Sequence, residues 1–137
     1  MQLLMKSDGA AAVEFAIVAP VFILLVFGMI AYAIYFGAAH SVQQLAGDAA
    51  RAAVAGLDSS ERQNLVKQFI SKNGASYSFI DVSKLQYSVG NAAADPTQLA
   101  VVLSYDAREL PIWGLLPSGL LPDETVTRRV SIRIGGV

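Results

Sequence analysis

One uncharged segment constrains this chain more than any other feature. From Phe15 to Ala39, twenty-five consecutive residues include no Asp, Glu, Lys, Arg or His. About 20 apolar residues suffice for a helix to cross the hydrocarbon core of a bilayer. The chain as a whole is 54% hydrophobic, and much of that apolar content lies in this segment. The sequence therefore predicts a transmembrane helix near the N-terminus.

The residues around the segment give its expected boundaries and orientation. Tyr32, Tyr35 and Phe36 lie where an aromatic belt is expected at a membrane surface. Lys6 precedes the span, and no Lys or Arg follows it until Arg51. This weak bias of positive charge favours a cytoplasmic N-terminus and an external C-terminal region.

A cleaved signal peptide is the alternative interpretation of the same segment. Ala31, Tyr32 and Ala33 have the small-x-small form of a signal-peptidase site. The apolar run is longer than the usual 7–15 residues of a signal peptide and continues past that site. An acid precedes it and a proline interrupts it, so we expect a retained span.

Two residues within the span have a possible structural role. Pro20 removes one helical hydrogen bond, which predicts a kink, and Gly28 would allow a partner helix to approach closely. Pro and Gly are also commoner in membrane helices than in soluble ones, so neither residue requires such a role.

The helix is expected to continue beyond the membrane. From Ser41 to Leu57, apolar residues recur at three- and four-residue spacing, and polar residues mostly fall between them. The predicted packing face consists of Val42, Leu45, Ala46, Ala49, Ala50, Ala53, Val54 and Leu57.

The remaining chain predicts a small α+β domain. Asp58 and Glu61 resemble a capping box that begins a short amphipathic helix, which Asn73 and Gly74 would end. Strands of an antiparallel sheet are then predicted from β-branched and aromatic runs. These runs are Tyr77–Val82, Lys84–Val89, Leu99–Tyr105 and Thr125–Ile134.

Two features of that domain are irregular. Arg128 falls on the same face of its strand as Val126 and Val130, which predicts an edge strand or a bulge. The loop between the last two strands, ELPIWGLLPSGLLPDE, is unusually apolar. We expect it to fold back over the sheet, and a contact surface is the alternative.

The sequence lacks the usual signals of catalysis. His40 is the only histidine and there is no cysteine, which argues against a zinc site or a Cys/His pair. No phosphate-binding glycine motif is present. With a formal net charge of −1, binding to nucleic acid is not expected. We therefore predict a protein that is not an enzyme and has no catalytic residue, metal or cofactor.

Glu14 is the exception in the apolar N-terminal region, because it stands directly before the uncharged run. A carboxylate within a bilayer costs about 2.5–3.5 kcal/mol at the centre and less toward the edge. One explanation is a hydrated Glu14 at headgroup depth that favours the helix N-terminus.

A family resemblance offers another explanation. Gly9 followed by AAAVEF, the span with Pro20, and the segment SVQQLAGDAARAAVAG resemble TadE-like pseudopilins of the tight-adherence (Flp) pilus system. The resemblance implies a leader, residues 1–9, that a prepilin peptidase removes between Gly9 and Ala10. Glu14 and Phe15 would then be residues five and six of the mature chain, and Glu14 would pair with an N-terminal amine.

The resemblance also implies the expected setting. We expect a single-pass protein of the bacterial inner membrane with a periplasmic C-terminal domain, either incorporated at a pilus tip or used as an assembly platform. Its partners would be the prepilin peptidase, other pilins and pseudopilins, an inner-membrane assembly platform and the lipid bilayer. The predicted regions are the leader 1–9, a transmembrane and extended helix 10–57, and an external α+β domain 58–137. A membrane anchor that displays a binding domain unrelated to pili is the alternative.

Two departures from the family pattern are visible. The leader holds Lys6 as its only basic residue, and Ala31 stands where the family often has a second glutamate. The chain is also longer than a major Flp pilin, which favours a minor, pseudopilin-type component.

Overall fold

The computed structural model describes residues 4–135, with side chains described from Asp8 to Gly135. The first three residues of the predicted leader lie outside this range. Two helices and three strands form the chain, connected in part by single 3₁₀ turns. In order, they are α1 (Leu4–Ala53), α2 (Ser59–Asn73), β1 (Leu85–Ala92), β2 (Asp95–Asp106) and β3 (Thr125–Arg133).

Helix α1 is one continuous helix of 50 residues, so the predicted continuation of the helix beyond the uncharged run is confirmed. Six residues of its predicted packing face are fully buried: Val42, Leu45, Ala46, Ala49, Ala50 and Ala53. Val54 and Leu57, predicted on the same face, are 39% and 89% exposed. The helix ends at Ala53, before it can carry these two side chains into the core.

Helix α2 begins at the predicted capping box. The Glu61 amide donates a 2.8 Å hydrogen bond to the Asp58 carboxylate, and the Glu61 carboxylate accepts one of 2.7 Å from the Leu57 amide. Val66 and Ile70 bury the apolar face of α2. The helix ends as predicted at Asn73, but Gly74 has a right-handed conformation and begins a 3₁₀ turn, in place of the left-handed cap that a terminal glycine often forms.

The three strands form an antiparallel sheet in the order β1-β2-β3. The central strand β2 turns Leu99, Val101, Leu103 and Tyr105 toward the core, which confirms the predicted buried strand. This face of the sheet packs against α1, and α2 covers the same core from the side of β1. The fold is therefore α+β, as predicted.

Strand β3 confirms one of the two expectations for Arg128. It is an edge strand, and its pairing with β2 continues without a register shift. The Arg128 side chain is half-buried on the inward face, and its guanidinium donates a 2.9 Å hydrogen bond to the Thr127 carbonyl. The strand therefore keeps its alternation without a bulge.

One predicted strand is wrong. Residues 77–81 form a bend and a turn, and Val82–Lys84 is a 3₁₀ turn. Phe79 has a φ of 62°, a left-handed conformation that is incompatible with a β-strand. The aromatic residues that suggested the strand contact α1 instead, because Tyr77 bonds Asp48 and Phe79 lies against Gly37.

The apolar loop between β2 and β3 folds back, as expected. Ile112 is fully buried, Leu110 is 7% exposed, and the Trp113 indole donates a 2.8 Å hydrogen bond to the Ala107 carbonyl. The following residues leave the sheet and reach α1. The loop therefore joins the external domain to the apolar part of the long helix.

Candidate functional site

The long helix has two parts with different surroundings. From Asp8 to Phe27 its side chains are exposed or, for a few small ones, half-exposed, and the most apolar 18-residue window is only 6% buried. From Ala31 onward the external domain covers one face of the helix, and Ala31 itself is fully buried. At a rise of 1.5 Å per residue, the residues described as uncovered, from Asp8 to Phe27, extend for about 30 Å. A helix of this length is sufficient to cross the hydrocarbon core of a bilayer.

Within residues 8–135, α1 is one helix that is long and apolar enough to cross a membrane. The structure nevertheless divides the uncharged run that suggested the span. Residues 15–27 are free of the domain, whereas most of residues 28–39 contribute to the domain's core or its rim. The run is apolar for two reasons, because its first half faces the surroundings and much of its second half packs against the domain.

Gly9 and Ala10, the predicted processing site, lie in the second turn of α1 with exposed side chains. Apart from its chain neighbours and the backbone of its own helix, no described atom lies within 4 Å of the position that a Cβ on Gly9 would occupy. The peptide bond between them is thus unobstructed but helical. Gly9 weakens a helix by about 1 kcal/mol relative to alanine, so this turn is easier to unwind for a protease than the alanine-rich turn that follows.

Glu14 is exposed on the uncovered part of α1, four residues beyond Ala10. Among the side chains described, no hydrogen bond or ion pair reaches its carboxylate. Residues at i and i+4 are neighbours on one helix face. The structure therefore brings Ala10 and Glu14 together, one turn apart.

Phe15 and Pro20 lie on the same uncovered part of the helix. Phe15 is 73% exposed, so its ring is available to lipid or to another chain. Helical geometry continues on both sides of Pro20, and the predicted kink stays a prediction.

Gly28 contacts a different partner from the one proposed for it. A Cβ at this position would lie 3.6 Å from the Cδ2 atom of Leu116. The close approach at Gly28 is thus made by the chain's own apolar loop. One helical turn later, the Tyr32 hydroxyl donates a 2.9 Å hydrogen bond to the Leu120 carbonyl.

The predicted aromatic belt forms a small cluster where the uncovered part ends. The ring centroids of Tyr32 and Phe36 are 5.8 Å apart, and those of Tyr35 and Phe36 are 6.0 Å apart. Sequence reasoning missed the two segments that meet this cluster, namely the loop at Leu116–Leu120 and the turn at Phe79. Their lack of charge was the available signal.

A polar contact fixes the far half of α1 to the segment after α2. The Tyr77 hydroxyl donates a 2.6 Å hydrogen bond to Asp48, and Arg51 forms an ion pair with the same carboxylate. Partial burial, together with this hydrogen bond, raises the pKa of Tyr77 to about 12. The contact stabilises the domain and has no nucleophile or base positioned for chemistry.

The other titratable groups are dispersed. His40 is exposed on α1, and across residues 8–135 no three carboxylate or histidine side chains form a group that could hold a metal ion. Asp106 accepts hydrogen bonds from the Arg108 amide and guanidinium, which lower the pKa of Asp106 to about 2. This is a local pair at the end of β2.

Comparison with known families gives one match, which begins at the predicted processing glycine. Residues 9–51 match the family model described as TadE-like protein. The chain carries a TadE-like segment. The match covers about a third of the chain and includes Gly9, Ala10, Glu14, Phe15 and Pro20.

The TadE-like segment coincides with almost all of α1 beyond the predicted leader. Its match supports a part for the chain in the tight-adherence pilus system. Searches among curated proteins and among solved structures returned no match. The external domain, from Asp58 onward, lies beyond the matched residues.

Proposed function

We propose that this chain is a pseudopilin, a minor pilin-like protein required to assemble the tight-adherence (Flp) pilus. A prepilin peptidase would remove residues 1–9 on the cytoplasmic side and leave Ala10 as the mature N-terminus. The protein would be held in the bacterial inner membrane by α1, with its α+β domain in the periplasm. The observation that carries the proposal is that the TadE-like match begins at Gly9 and includes the uncovered part of α1 from there to Phe27.

The depth of Glu14 supports a role in pairing. The loop that contacts Gly28 and Tyr32 has backbone polar groups, which the hydrocarbon core would not tolerate against lipid, so the span ends between these two residues. A span of about 20 residues that ends there would begin between Gly9 and Val13. Glu14 then lies inside the span, where it needs a partner more than a carboxylate at the surface would.

Processing would supply that partner. Cleavage after Gly9 creates an α-ammonium on Ala10, one helical turn from Glu14. The amine of the same chain, or that of a neighbouring subunit, can pair with the carboxylate and offset the cost of holding it in lipid. Pairing between subunits would bring uncovered helices together in one register, as pilus assembly requires.

The exposure of the uncovered helix supports contacts between subunits. Phe15, Ile17 and Phe22 are 73%, 67% and 63% exposed. If the helix leaves the lipid, these apolar side chains would contact water unless other helices cover them. Incorporation at the tip of a filament and service as an inner-membrane platform both meet this condition. The prepilin peptidase, the other pilins and pseudopilins and the assembly platform are the partners that the proposal requires.

A second candidate follows from the extent of the match. Because the TadE-like segment ends at Arg51, the external domain could belong to a membrane anchor that displays a binding module unrelated to pili. Such an anchor would keep its leader and would not need Glu14.

Complementation of a deletion strain tests the proposal. In a bacterium that carries this gene and a tight-adherence system, we expect deletion to abolish piliation and the wild-type gene to restore it. Glu14→Ala should reach the membrane and be processed, yet reduce piliation at least tenfold. Glu124→Ala, which removes an exposed carboxylate outside α1, is the control and should assemble normally.

Two results would contradict this account. Wild-type piliation in the deletion strain would remove the pilus function. Wild-type piliation with Glu14→Ala would leave a pilus function in place and remove the pairing role of the carboxylate.

A further inference from the structure

We propose that the apolar loop Leu110–Pro122 lies at the membrane–water interface on the outer side of the bilayer that α1 crosses. There it holds the external domain against the bilayer surface. This surface, here called the membrane rim, consists of that loop together with Tyr32 and Phe36 of α1. The proposed occupant is lipid. The inference rests on α1 crossing a bilayer and does not depend on processing or on pilus assembly.

The position of the loop along α1 is the first argument. Leu116 lies against Gly28, and the Leu120 carbonyl accepts a hydrogen bond from Tyr32. From Gly28 onward the loop and the domain cover one face of the helix, whereas the apolar residues before it are exposed. A bilayer around these exposed residues reaches the level of the loop, so the membrane rim is continuous with the lipid-facing surface of the helix.

The composition of the loop is the second argument. Residues 110–122 include no Asp, Glu, Lys, Arg or His. The first carboxylates after it, Asp123 and Glu124, are exposed and lead directly into β3. A loop in water is usually polar, whereas a loop at headgroup depth can leave apolar side chains toward the acyl boundary.

The third argument is the apolar surface that the domain leaves uncovered. Leu120 is 52% exposed and Phe36 is 61% exposed, and both lie on the end of the domain that faces the uncovered helix. Ile112 of the loop is fully buried, and the Trp113 indole donates a hydrogen bond to the carbonyl of Ala107, directly after β2. The part of the loop near β2 is thus packed on the domain, and this packing keeps Leu120 exposed on the membrane side.

Phe79 would add a second contact with the membrane, further from the bilayer centre than the loop. It is the one non-glycine residue with positive φ between residues 4 and 135, and its ring is half exposed although it touches Gly37. Gly37 lies nine residues beyond Gly28, about 13 Å further along the helix axis. The strained backbone at Phe79 keeps its aromatic ring exposed. Aromatic side chains are common at membrane–water interfaces, and this ring would lie at the outer edge of the same interface.

The absence of cysteine allows a direct measurement on the full chain. Single-cysteine variants Leu120→Cys, Phe79→Cys, Leu25→Cys and Leu57→Cys would carry a nitroxide label. The protein would be placed in nanodiscs of phosphatidylethanolamine and phosphatidylglycerol. Collision rates with oxygen, which enters lipid, and with a nickel chelate, which stays in water, would then be compared.

Leu57 is the matched control, because it is 89% exposed and follows the end of α1 at Ala53, which lies about 30 Å along the helix axis from Tyr32. Leu25 reports the span itself. We expect the ratio of oxygen to nickel collisions to be highest at Leu25, at least threefold above Leu57 at Leu120, and intermediate at Phe79.

Three results would overturn the membrane rim. A ratio at Leu120 equal to that at Leu57 would mean that the loop lies in water. An immobilised label at Leu120 that neither reagent reaches would mean that protein covers the loop, as in a contact between two copies of the chain. A ratio at Leu25 equal to that at Leu57 would overturn the span as well, and with it both proposals.

Discussion

The Tyr32 hydroxyl donates a 2.9 Å hydrogen bond to the backbone carbonyl of Leu120, 88 residues later in the chain. This bond ties the loop between β2 and β3 to the long N-terminal helix at the point where the external domain begins to cover it. The domain is therefore attached to α1 near the span as well as through its core. Its orientation relative to the span depends on this attachment.

Loss of the Tyr32 hydroxyl should loosen the loop without unfolding the domain. Tyr32→Phe keeps the ring and removes one hydrogen bond, which is worth about 1 kcal/mol. We expect amide exchange in residues 117–122 to accelerate about fivefold, while exchange in β2 stays unchanged. Tyr87→Phe, on the exposed side of β1, is the control. Equal exchange in wild type and Tyr32→Phe would show that the bond does not hold the loop.

The Tyr77–Asp48 hydrogen bond should contribute to global stability. A hydrogen bond to a charged acceptor contributes about 1.5–3 kcal/mol when buried, and the 41% exposure of the Asp48 side chain lowers that value. We expect Tyr77→Phe to reduce the free energy of unfolding by about 1 kcal/mol. Urea unfolding in detergent, followed by the signal of the single tryptophan, measures it. Tyr87→Phe should leave the midpoint unchanged.

The same tyrosine predicts a dependence on alkaline pH. Tyr77 has a pKa of about 12 in the folded chain, raised from the ordinary tyrosine value of 10.0 by partial burial and by the hydrogen bond to Asp48. A raised pKa means that folding favours the neutral phenol, so this contribution is complete below pH 10 and is lost as the pH rises toward 12. Stability should therefore fall more steeply over this range in wild type than in Tyr77→Phe. Parallel pH profiles would contradict this assignment.

Two leucines near the end of α1 should differ strongly in their effect. Leu45 is fully buried between the helix and the sheet, whereas Leu57 is 89% exposed. We expect Leu45→Ala to lower the free energy of unfolding by about 2–5 kcal/mol, because it removes buried area and leaves a cavity. Leu57→Ala should change it by less than about 0.5 kcal/mol. Similar losses for the two variants would mean that the core described for α1 is wrong.

The sequence was sufficient to predict most of the elements. An uncharged run followed by an alanine-rich apolar face predicted α1, and Asp58 with Glu61 predicted the start of α2. The central strand followed from its β-branched residues. These patterns are local, because each depends on side chains that one helix or one strand turns toward the core.

The failures involve contacts between distant segments. Tyr77, Phe79 and Ile80 are common strand residues, but their packing on α1 and the positive φ of Phe79 override that preference. The residue at which the span ends could not be predicted either, since residues that face lipid and residues that face a protein core are both apolar. Only the fold shows that Ala31 is buried by the domain.

The sequence suggested which residues form the candidate site, but it did not show what surrounds them. Gly9, Ala10 and Glu14 were identified from the resemblance to TadE-like pseudopilins, and the family match includes all three. The sequence placed Glu14 at the mouth of the uncharged run. In the fold, one face of the helix is covered from Gly28 onward, so the span that we propose ends before the uncharged run does and includes Glu14.

The mature N-terminus tests the central claim most directly. The protein should be purified from piliated cells and from cells that lack the prepilin peptidase, and its intact mass and first residues determined. The account predicts a chain that begins at Ala10 in piliated cells and at Met1 without the peptidase. A chain that begins at Met1 in piliated cells would contradict it, and one that begins at Ile34 would indicate cleavage as a secretory signal.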